Sequence, residues 1–302
     1  MEKKLVSALI TIVLIILAAL GWIKLPSIND PRSKNDVYEL SGSESHFFKG
    51  MPKLTGPRIP LSRGKTTTIV RKAYALEHSA NWKTSVWVCE HLTAKQLKGD
   101  IEREDAFGPD PKLVKGQRAE TKDYARSGYD RGHLAPAGDF TIDPALKEET
   151  FFLSNMAPQV PEFNRGIWKS IEGYTRKLAE KHGEIWIVTG CLFFEESEES
   201  GRGNNRISIK RIGPGKVAVP SHFYKIIIRR TSSGPKALTF VVRNKDYDPP
   251  FRFDKLVKSV DWVESWAGLD IMPELVGADE AAVEARPASV SWTKKSGFQW
   301  DE

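Results

Sequence analysis

The segment Tyr129-Asp-Arg-Gly-His-Leu-Ala-Pro-Ala-Gly-Asp139 places one histidine beside a carboxylate, a guanidinium and two glycines. Burying Asp130, Arg131 and His133 together is costly unless each of them finds a partner. The mixture is therefore typical of a cleft in which a charged substrate supplies some of those partners. It suits phosphate-ester chemistry better than a packed core, although Asp139 itself receives no role from the sequence.

A helix is predicted shortly after this segment, over Pro161–His182. Apolar residues recur there at three- and four-residue spacing, and His182-Gly183 is a stop signal. A second helix is predicted over Lys255–Trp266. Runs rich in β-branched and aromatic residues predict strands over Thr66–Tyr74, Thr84–Leu92, Glu184–Thr189, His222–Ile228 and Ala237–Val242. Many strands with few helices between them indicate an α+β fold around a mostly antiparallel or mixed central sheet with flanking helices.

The charge of the chain is modestly basic and unevenly distributed. Its 45 Lys and Arg residues exceed its 39 Asp and Glu residues by six, and the sequence pI is about 9.1. Gly56–Lys72 and Gly201–Val219 contain several cations and no acid. These stretches fit a phosphate backbone, and an ordinary solvated surface is the alternative. In the second stretch the candidate nucleic-acid-binding residues are Arg202, Arg206, Lys210 and Arg211.

The N-terminus carries an apolar run from Leu5 to Ile23, which would span about 28 Å as a helix. This length is close to the bilayer core, so residues 1–23 are predicted to be a membrane anchor or an export signal. Residues 24–52 are interpreted as a linker, 53–276 as the folded domain and 277–302 as a mobile tail.

The two cysteines, Cys89 and Cys191, lie in apolar, strand-like runs. Buried thiols are favoured, and a single bridge in an oxidising compartment is the alternative. Cys89 and His91 share a strand face, but no second Cys/His pair accompanies them, so zinc is not expected.

Four motifs follow one another along the core: Asp130-Arg-Gly-His-Leu-Ala-Pro136, Leu153-Ser-Asn-Met-Ala-Pro-Gln159, Phe163-Asn-Arg-Gly-Ile-Trp168 and Val188-Thr-Gly190. In this order they resemble the motifs of the sugar-non-specific DNA/RNA endonuclease family, which includes mitochondrial endonuclease G and secreted bacterial nucleases. Val217–Lys225 and Val260–Leu269 resemble the downstream strand and closing helix of that family. The resemblance extends from about residue 58 to 275.

The resemblance implies a ββα-metal finger, in which a strand delivers the histidine and a following helix delivers the metal ligand. His133 would be the general base, Asn164 the Mg²⁺ ligand and Glu172 a carboxylate that holds water in the shell of the ion, with Mn²⁺ as a candidate substitute. Arg131 and Arg103 are the candidates for neutralising the phosphate; Arg103 precedes Phe107 and Asp110 much as a substrate-contacting arginine does in the family.

The spacing of Asn164 and Glu172 is compatible with these implied roles. Eight helical residues rise about 12 Å, too far for both side chains to hold one ion directly. Helical side chains lean toward the N-terminus, so Glu172 can reach a water in the shell of an ion near Asn164. Mg²⁺ commonly keeps several waters.

Each of these residues also has a structural alternative. Asn155 and Asn164 could cap helices or turns, and Asn155 is expected to orient the site rather than bind the ion. Glu172 could pair with Arg176 four residues later. Asp130 is expected to secure the loop or to pair with an arginine. The remaining histidines are expected to be structural: His46, His78, His91, His182 and His222.

The sequence as a whole predicts a magnesium-dependent endonuclease that cleaves DNA and RNA with little sequence preference. A 5′-exonuclease of the same family is one alternative, and a non-catalytic nucleic-acid-binding protein at a membrane is another. The nuclease domain is expected on the non-cytosolic side, in the periplasm, outside the cell or in the mitochondrial intermembrane space. The family resemblance also implies a homodimer.

Overall fold

The computed structural model describes residues 46–56, 63–102, 106–195, 197, 200, 207–293 and 297–300, all within one compact unit. The apolar segment Leu5–Ile23 lies outside these ranges. Within them, none of the helices has the length and apolar character needed to cross a bilayer.

Fifteen strands occur in the described part of the chain, and most of the long ones coincide with the runs of β-branched and aromatic residues. They are β1 Lys53–Leu54, β2 Thr66–Val70, β3 Ala75–Ser79, β4 Thr84–Thr93, β5 Asp130–His133, β6 Met156–Gln159, β7 Glu184–Leu192, β8 Arg211–Ile212, β9 Val217–Ala218, β10 His222–Arg229, β11 Lys236–Arg243, β12 Val257–Lys258, β13 Leu269–Asp270, β14 Val290–Thr293 and β15 Gly297–Trp300.

Seven of these strands form the central sheet, in the order β12-β11-β10-β7-β4-β3-β2. Every neighbouring pair in it is antiparallel. The predicted α+β fold with a mostly antiparallel sheet is therefore confirmed. Cys89 and Cys191 lie in β4 and β7 as buried free thiols.

The helices described are α1 Thr121–Tyr124, α2 Pro144–Glu149, α3 Pro161–Phe163, α4 Lys169–His182, α5 Val260–Ala267 and α6 Ala278–Glu284. A π-helical turn, Asn164–Trp168, joins α3 to α4, so the predicted helix over Pro161–His182 is confirmed as one helical stretch. It ends where Gly183 takes a φ of 86°, a conformation that glycine adopts readily.

Helices cover both faces of the sheet. Phe223 of β10 packs against Phe163 and Trp168, with ring centroids 5.4 and 5.6 Å apart. The preceding residue, His222, stacks on Phe194 at 4.0 Å, and Phe194 contacts Trp266 of α5 at 4.5 Å. Successive residues of a strand point to opposite faces, so the helical stretch that ends in α4 and the helix α5 lie on opposite sides of the sheet.

Two predicted boundaries were wrong. The predicted strand Thr66–Tyr74 ends at Val70, because a turn in which Arg71 N donates to Tyr74 O, at 2.9 Å, leads into the unpredicted strand β3. The predicted helix Lys255–Trp266 begins at Val260, because the Ser259 hydroxyl caps it by accepting from Trp262 N at 3.1 Å.

Described residues on both sides of the span 53–276 pack against it. In the segment interpreted as a linker, Phe48 is buried and lies 5.2 Å from the ring of Trp186. The tail expected to be mobile contains α6 and the β14–β15 hairpin. Phe298 of this hairpin contacts Tyr174 of α4 at 5.1 Å. The Ala-, Glu- and Ser-rich composition of the tail concealed these aromatic contacts.

Candidate active site

Strands β5 and β6 form a two-stranded unit that connects the segment containing His133 to the beginning of the helical stretch Pro161–His182. Strand β5 pairs antiparallel with β6, with His133 opposite Met156 and Asp130 opposite Gln159. After β6 the chain turns at Val160 and enters α3 with proline at its first position, where the missing amide hydrogen costs nothing. Two strands and a helix thus carry the candidate site residues Asp130, Arg131 and His133 and lead directly to Asn164.

The position of Gly132 in this unit has no room for a side chain, because Gln159 packs against it. A Cβ at this position would lie 2.1 Å from Cδ of Gln159, whose side chain fills the space. Gln159 is fully buried on β6. The glycine therefore allows the two strands to pair at the register that carries His133.

A cavity of about 350 Å³ opens beside β5, and it brings three of the predicted residues together: His133, Asn164 and Glu172. Its remaining walls come from the turn after β5 and from cationic side chains on two helices. These residues are Pro136, Ala137, Gly138, Lys147, Arg165, Lys169 and Arg176.

Aromatic rings surround the imidazole of His133. Phe151 meets it edge-on, with ring centroids 5.2 Å apart and planes at 87°, and Phe107 lies at 5.7 Å. These rings limit the orientations of the imidazole while leaving the residue half-buried and in contact with the cavity.

Asp130 links the strand to the beginning of the helical stretch. It accepts a hydrogen bond of 3.0 Å from Asn164 Nδ2, and a bidentate pair from Arg165 at 2.9 and 2.8 Å. A carboxylate only accepts, so the amide nitrogen of Asn164 must face Asp130 and its amide oxygen must point elsewhere. Because Asn164 lines the cavity, that oxygen is suited to bind a hard cation.

Asn155 is fully buried and fastens the turn that follows His133. Its Oδ1 accepts from Ala135 N, and its Nδ2 donates to Ala135 O and to Thr150 O, each at 2.9 Å. Its backbone oxygen also accepts from Leu134 N at 3.0 Å. The side chain does not line the cavity among the described residues, which is consistent with an orienting role.

Of the two candidate arginines, Arg131 lies among the residues that the structure describes and Arg103 does not. Arg131 shares a strand face with His133, and its guanidinium lies 4.9 Å from the ring centre of Phe107. Arg103 lies outside the described residues, as do Arg202 and Arg206 of the basic stretch.

The described part of the basic stretch reaches the neighbourhood of β5. Lys210 Nζ lies 5.0 Å from the ring centre of Tyr129, the residue before Asp130. Arg211 NH1 donates to Asn81 O at 2.8 Å and to Lys216 O at 2.9 Å, so this guanidinium also holds loops together.

The sequence did not identify Lys147, Arg165, Lys169 or Arg176 as site residues. Arg176 follows Glu172 by four residues and Lys169 precedes it by three, so helical spacing could have found both. Arg165 lies inside a quoted motif. Lys147 comes from α2, and nothing in its sequence context indicates that it reaches the cavity.

A buried charged network adjoins Arg176, which lines the cavity. Arg176 NH1 donates to Asp139 Oδ1 at 2.8 Å, and Asp139 is 1% exposed. Burial raises the pKa of Asp139, an effect that Arg176 opposes. Burial also raises the pKa of Glu90 well above its usual range, and the charge of Asp139 adds to this shift. Nearby, Lys225 Nζ donates to Thr189 Oγ1 at 2.7 Å.

Known proteins that are similar to this chain identify its family. The sequence profile of the DNA/RNA non-specific endonuclease family matches residues 57–277. The chain belongs to this family. It is therefore a nuclease, a hydrolase that acts on nucleic acids, and nucleases of this family depend on a metal.

Individual relatives of this nuclease support the assignment. It is 36% identical over 243 residues to the mitochondrial nuclease EXOG of Danio rerio, covering 79% of this chain and 70% of the relative. It is 33% identical over 208 residues to the mitochondrial endonuclease G of Homo sapiens, covering 68% and 69%. A crystal structure of the EndoG/EndoGI complex, described as showing a mechanism of EndoG inhibition, superposes with a TM-score of 0.66 at 30% identity and covers 74% of this chain and 91% of that one.

Proposed function

We propose that this nuclease is a magnesium-dependent endonuclease that hydrolyses DNA and RNA without sequence preference, with His133 as general base. The observation that supports the proposal most strongly is the single cavity lined by His133, Asn164 and Glu172 among four cationic side chains. Such a site addresses the phosphate, which all sequences share, rather than the base edges that distinguish them.

The donor set fits a magnesium ion. Asn164 would hold the ion directly through its amide oxygen, and Glu172 would hold it through water. Oxygen donors with few direct protein ligands are what Mg²⁺ prefers, and Mn²⁺ is the candidate substitute. When bound, the ion supplies charge stabilisation to the phosphate and to the departing oxygen.

The side chains of the chain itself provide the remaining chemistry. Histidine, with an ordinary pKa of about 6.5, is suited to take a proton from the attacking water at neutral pH. Lys147, Lys169 and Arg176 give the cavity a positive wall that attracts and neutralises the phosphodiester. Arg131 and Arg103 remain the candidates for a forked contact to a phosphate oxygen.

Cleavage assays on supercoiled plasmid and on RNA test the proposal. We expect the wild type to cleave both with Mg²⁺ and neither with chelator, and His133→Ala to lower kcat by about 10²–10⁴. His182→Ala, at the end of α4 and outside the cavity, is the matched control and should retain activity. Cleavage in chelator, or undiminished cleavage by His133→Ala, would contradict the mechanism.

Cleavage of covalently closed circular DNA distinguishes an endonuclease from a 5′-exonuclease of the same family. An endonuclease nicks and linearises the closed circle, whereas an enzyme that needs a free 5′ end leaves it intact. We expect nicking. If the circle stays intact while the same DNA is degraded after linearisation, the exonuclease assignment is correct. Binding without cleavage of any substrate would favour a non-catalytic protein.

We also propose that the nuclease domain lies on the non-cytosolic side of a membrane, with residues 1–23 as its anchor or export signal. A non-specific nuclease in the cytosol would attack the nucleic acids of its own cell. N-terminal sequencing of the mature protein distinguishes a retained anchor from a cleaved signal, and protection of the domain from external protease reports its side. A homodimer, proposed by family analogy, is tested by the molar mass in solution.

A further inference from the structure

Three carboxylates converge between α5 and α6, away from the nuclease cavity. Asp261 and Glu264 are three residues apart on α5 and so share a helix face. Glu284 ends α6. One oxygen from each lies within 4.8 Å of the other two. The helix α5 lies on the sheet face opposite the helical stretch that carries Asn164 and Glu172, so the cluster is separate from the nuclease site.

Glu284 is the unusual member of this cluster. It is only 5% exposed, and its Oε1 is buried without a hydrogen-bond partner among the described residues. A buried carboxylate with an oxygen left unsatisfied is costly, and a buried charge normally has a counter-charge or a metal. The side chain lies beside two further carboxylates, so the neighbouring groups increase the cost rather than reduce it.

The surroundings of the cluster add more negative charge. Burial raises the pKa of Glu284 to about 8, and the charges of Glu264, Asp261, Glu280 and Asp270 add to this shift. Burial likewise raises the pKa of Glu264 to about 7, although its Oε1 accepts a hydrogen bond of 2.7 Å from Ile271 N. Burial and the neighbouring carboxylates therefore disfavour the ionised forms of Glu284 and Glu264, and a cation bound among their oxygen atoms would offset this repulsion.

The donor atoms decide which cation fits. Oxygen ligands without histidine or thiolate favour a hard cation over zinc. Ca²⁺ takes about six to eight oxygen ligands and readily accepts several carboxylates, whereas Mg²⁺ usually keeps several waters and binds through only one or two carboxylates. Three protein carboxylates, one of them buried, therefore suit Ca²⁺ better, and the exposed Asp261 leaves room for the waters that complete its shell.

We propose that Asp261, Glu264 and Glu284 form a structural Ca²⁺ site that fastens α6 to α5. The ion would satisfy the buried oxygen of Glu284 and offset the repulsion among the three carboxylates. It would thereby stabilise the chain after residue 277, including the hairpin whose Phe298 packs on Tyr174 of α4.

Thermal unfolding of the full chain with chelator, with Ca²⁺ alone and with Mg²⁺ alone tests this site. With Ca²⁺ at about 100 times its Kd, we expect Tm to rise by about 5 °C. Glu284→Gln, which keeps the shape of the side chain, should abolish this rise, and Asp261→Asn should reduce it. The matched control is Glu280→Gln, an exposed carboxylate on the same helix, which should retain most of it.

The variant Asn164→Ala tests whether the response to Ca²⁺ arises at this site or in the nuclease cavity. If the proposal is correct, this variant loses cleavage but keeps the Ca²⁺-dependent rise in Tm, and calorimetric titration with CaCl₂ still detects one site that Glu284→Gln removes. The proposal is wrong if Ca²⁺ does not stabilise the wild type, if Glu284→Gln responds like the wild type, or if Asn164→Ala removes the response.

Discussion

Asn164 Nδ2 donates a hydrogen bond of 3.0 Å to Asp130 Oδ2, joining the strand that carries His133 to the beginning of the helical stretch. The bond sets the orientation of the amide, because only the nitrogen can donate to a carboxylate. The oxygen of Asn164 therefore faces away from Asp130, and the residue lines the cavity in which the metal is proposed to bind. Asp130 is a positioning residue on this interpretation, and Arg165 holds it in place.

Replacing Asp130 with asparagine should weaken the metal site more than it weakens the fold. The new amide can turn its own nitrogen toward Asn164 and reverse the orientation of that side chain. Positioning groups of this kind are worth about 10–100-fold in metal affinity, so we expect the Mg²⁺ concentration for half-maximal cleavage to rise by about that factor. Arg165→Gln is the matched control and should have a smaller effect. Equal Mg²⁺ dependence of Asp130→Asn and the wild type would contradict the positioning role.

Asn155→Ala should destabilise the protein by about 3 kcal/mol, because it leaves one buried donor and two buried acceptors without their partner. Asn155→Asp should cost at least as much, since a carboxylate keeps the bond to Ala135 N but repels the carbonyls of Ala135 and Thr150. Urea unfolding measures both. An Asn155→Asp variant as stable as the wild type would show that the two donated bonds contribute little.

Charge neutralisation in the basic stretch should change binding rather than turnover. Removing Arg202, Arg206, Lys210 and Arg211 should lower affinity and reduce the slope of log K against log salt by about one for each lost phosphate contact, with kcat on saturating substrate retained. Lys210→Gln is the cleanest single test, because Arg211 also bonds to two loop carbonyls. Lys53→Gln, exposed on β1, is the control. A constant slope would identify a solvated surface.

The titration of His78 should make the protein less stable as the pH drops below 6.5. Burial lowers the pKa of His78 to about 4, against about 6.5 in an unfolded chain. Between these values the unfolded state binds more protons, so acid favours unfolding. His78→Gln can still donate to the Gln117 carbonyl, as His78 Nε2 does at 3.0 Å. The loss of unfolding free energy from pH 7 to pH 5 should be smaller by about 2 kcal/mol in this variant. Equal losses would contradict this.

Local sequence patterns predicted helices and strands best where the residues that are buried in the structure follow the helical or strand pattern of apolar residues in the sequence. The helical stretch Pro161–His182 has apolar residues on one face, and strands β4, β7, β10 and β11 consist largely of β-branched and aromatic residues. Strand β3 was missed because its buried positions include Glu77 and His78, which are satisfied by Thr68 Oγ1 and by the Gln117 carbonyl. Polar residues in a strand can be identified as buried only when their distant partners are known.

The sequence by itself determined the fold class and the family, because strand patterns and motif order are local properties of the chain. The roles of His133, Asn164 and Glu172, which the family resemblance implies, stay predictions. Tertiary structure alone decided that Lys147 from α2 joins the cavity, that Asp139 pairs with Arg176, and that Glu284 meets Asp261 and Glu264. These contacts join elements far apart in sequence, and neither their geometry nor the cost of their buried charges exists until the sheet and helices have packed.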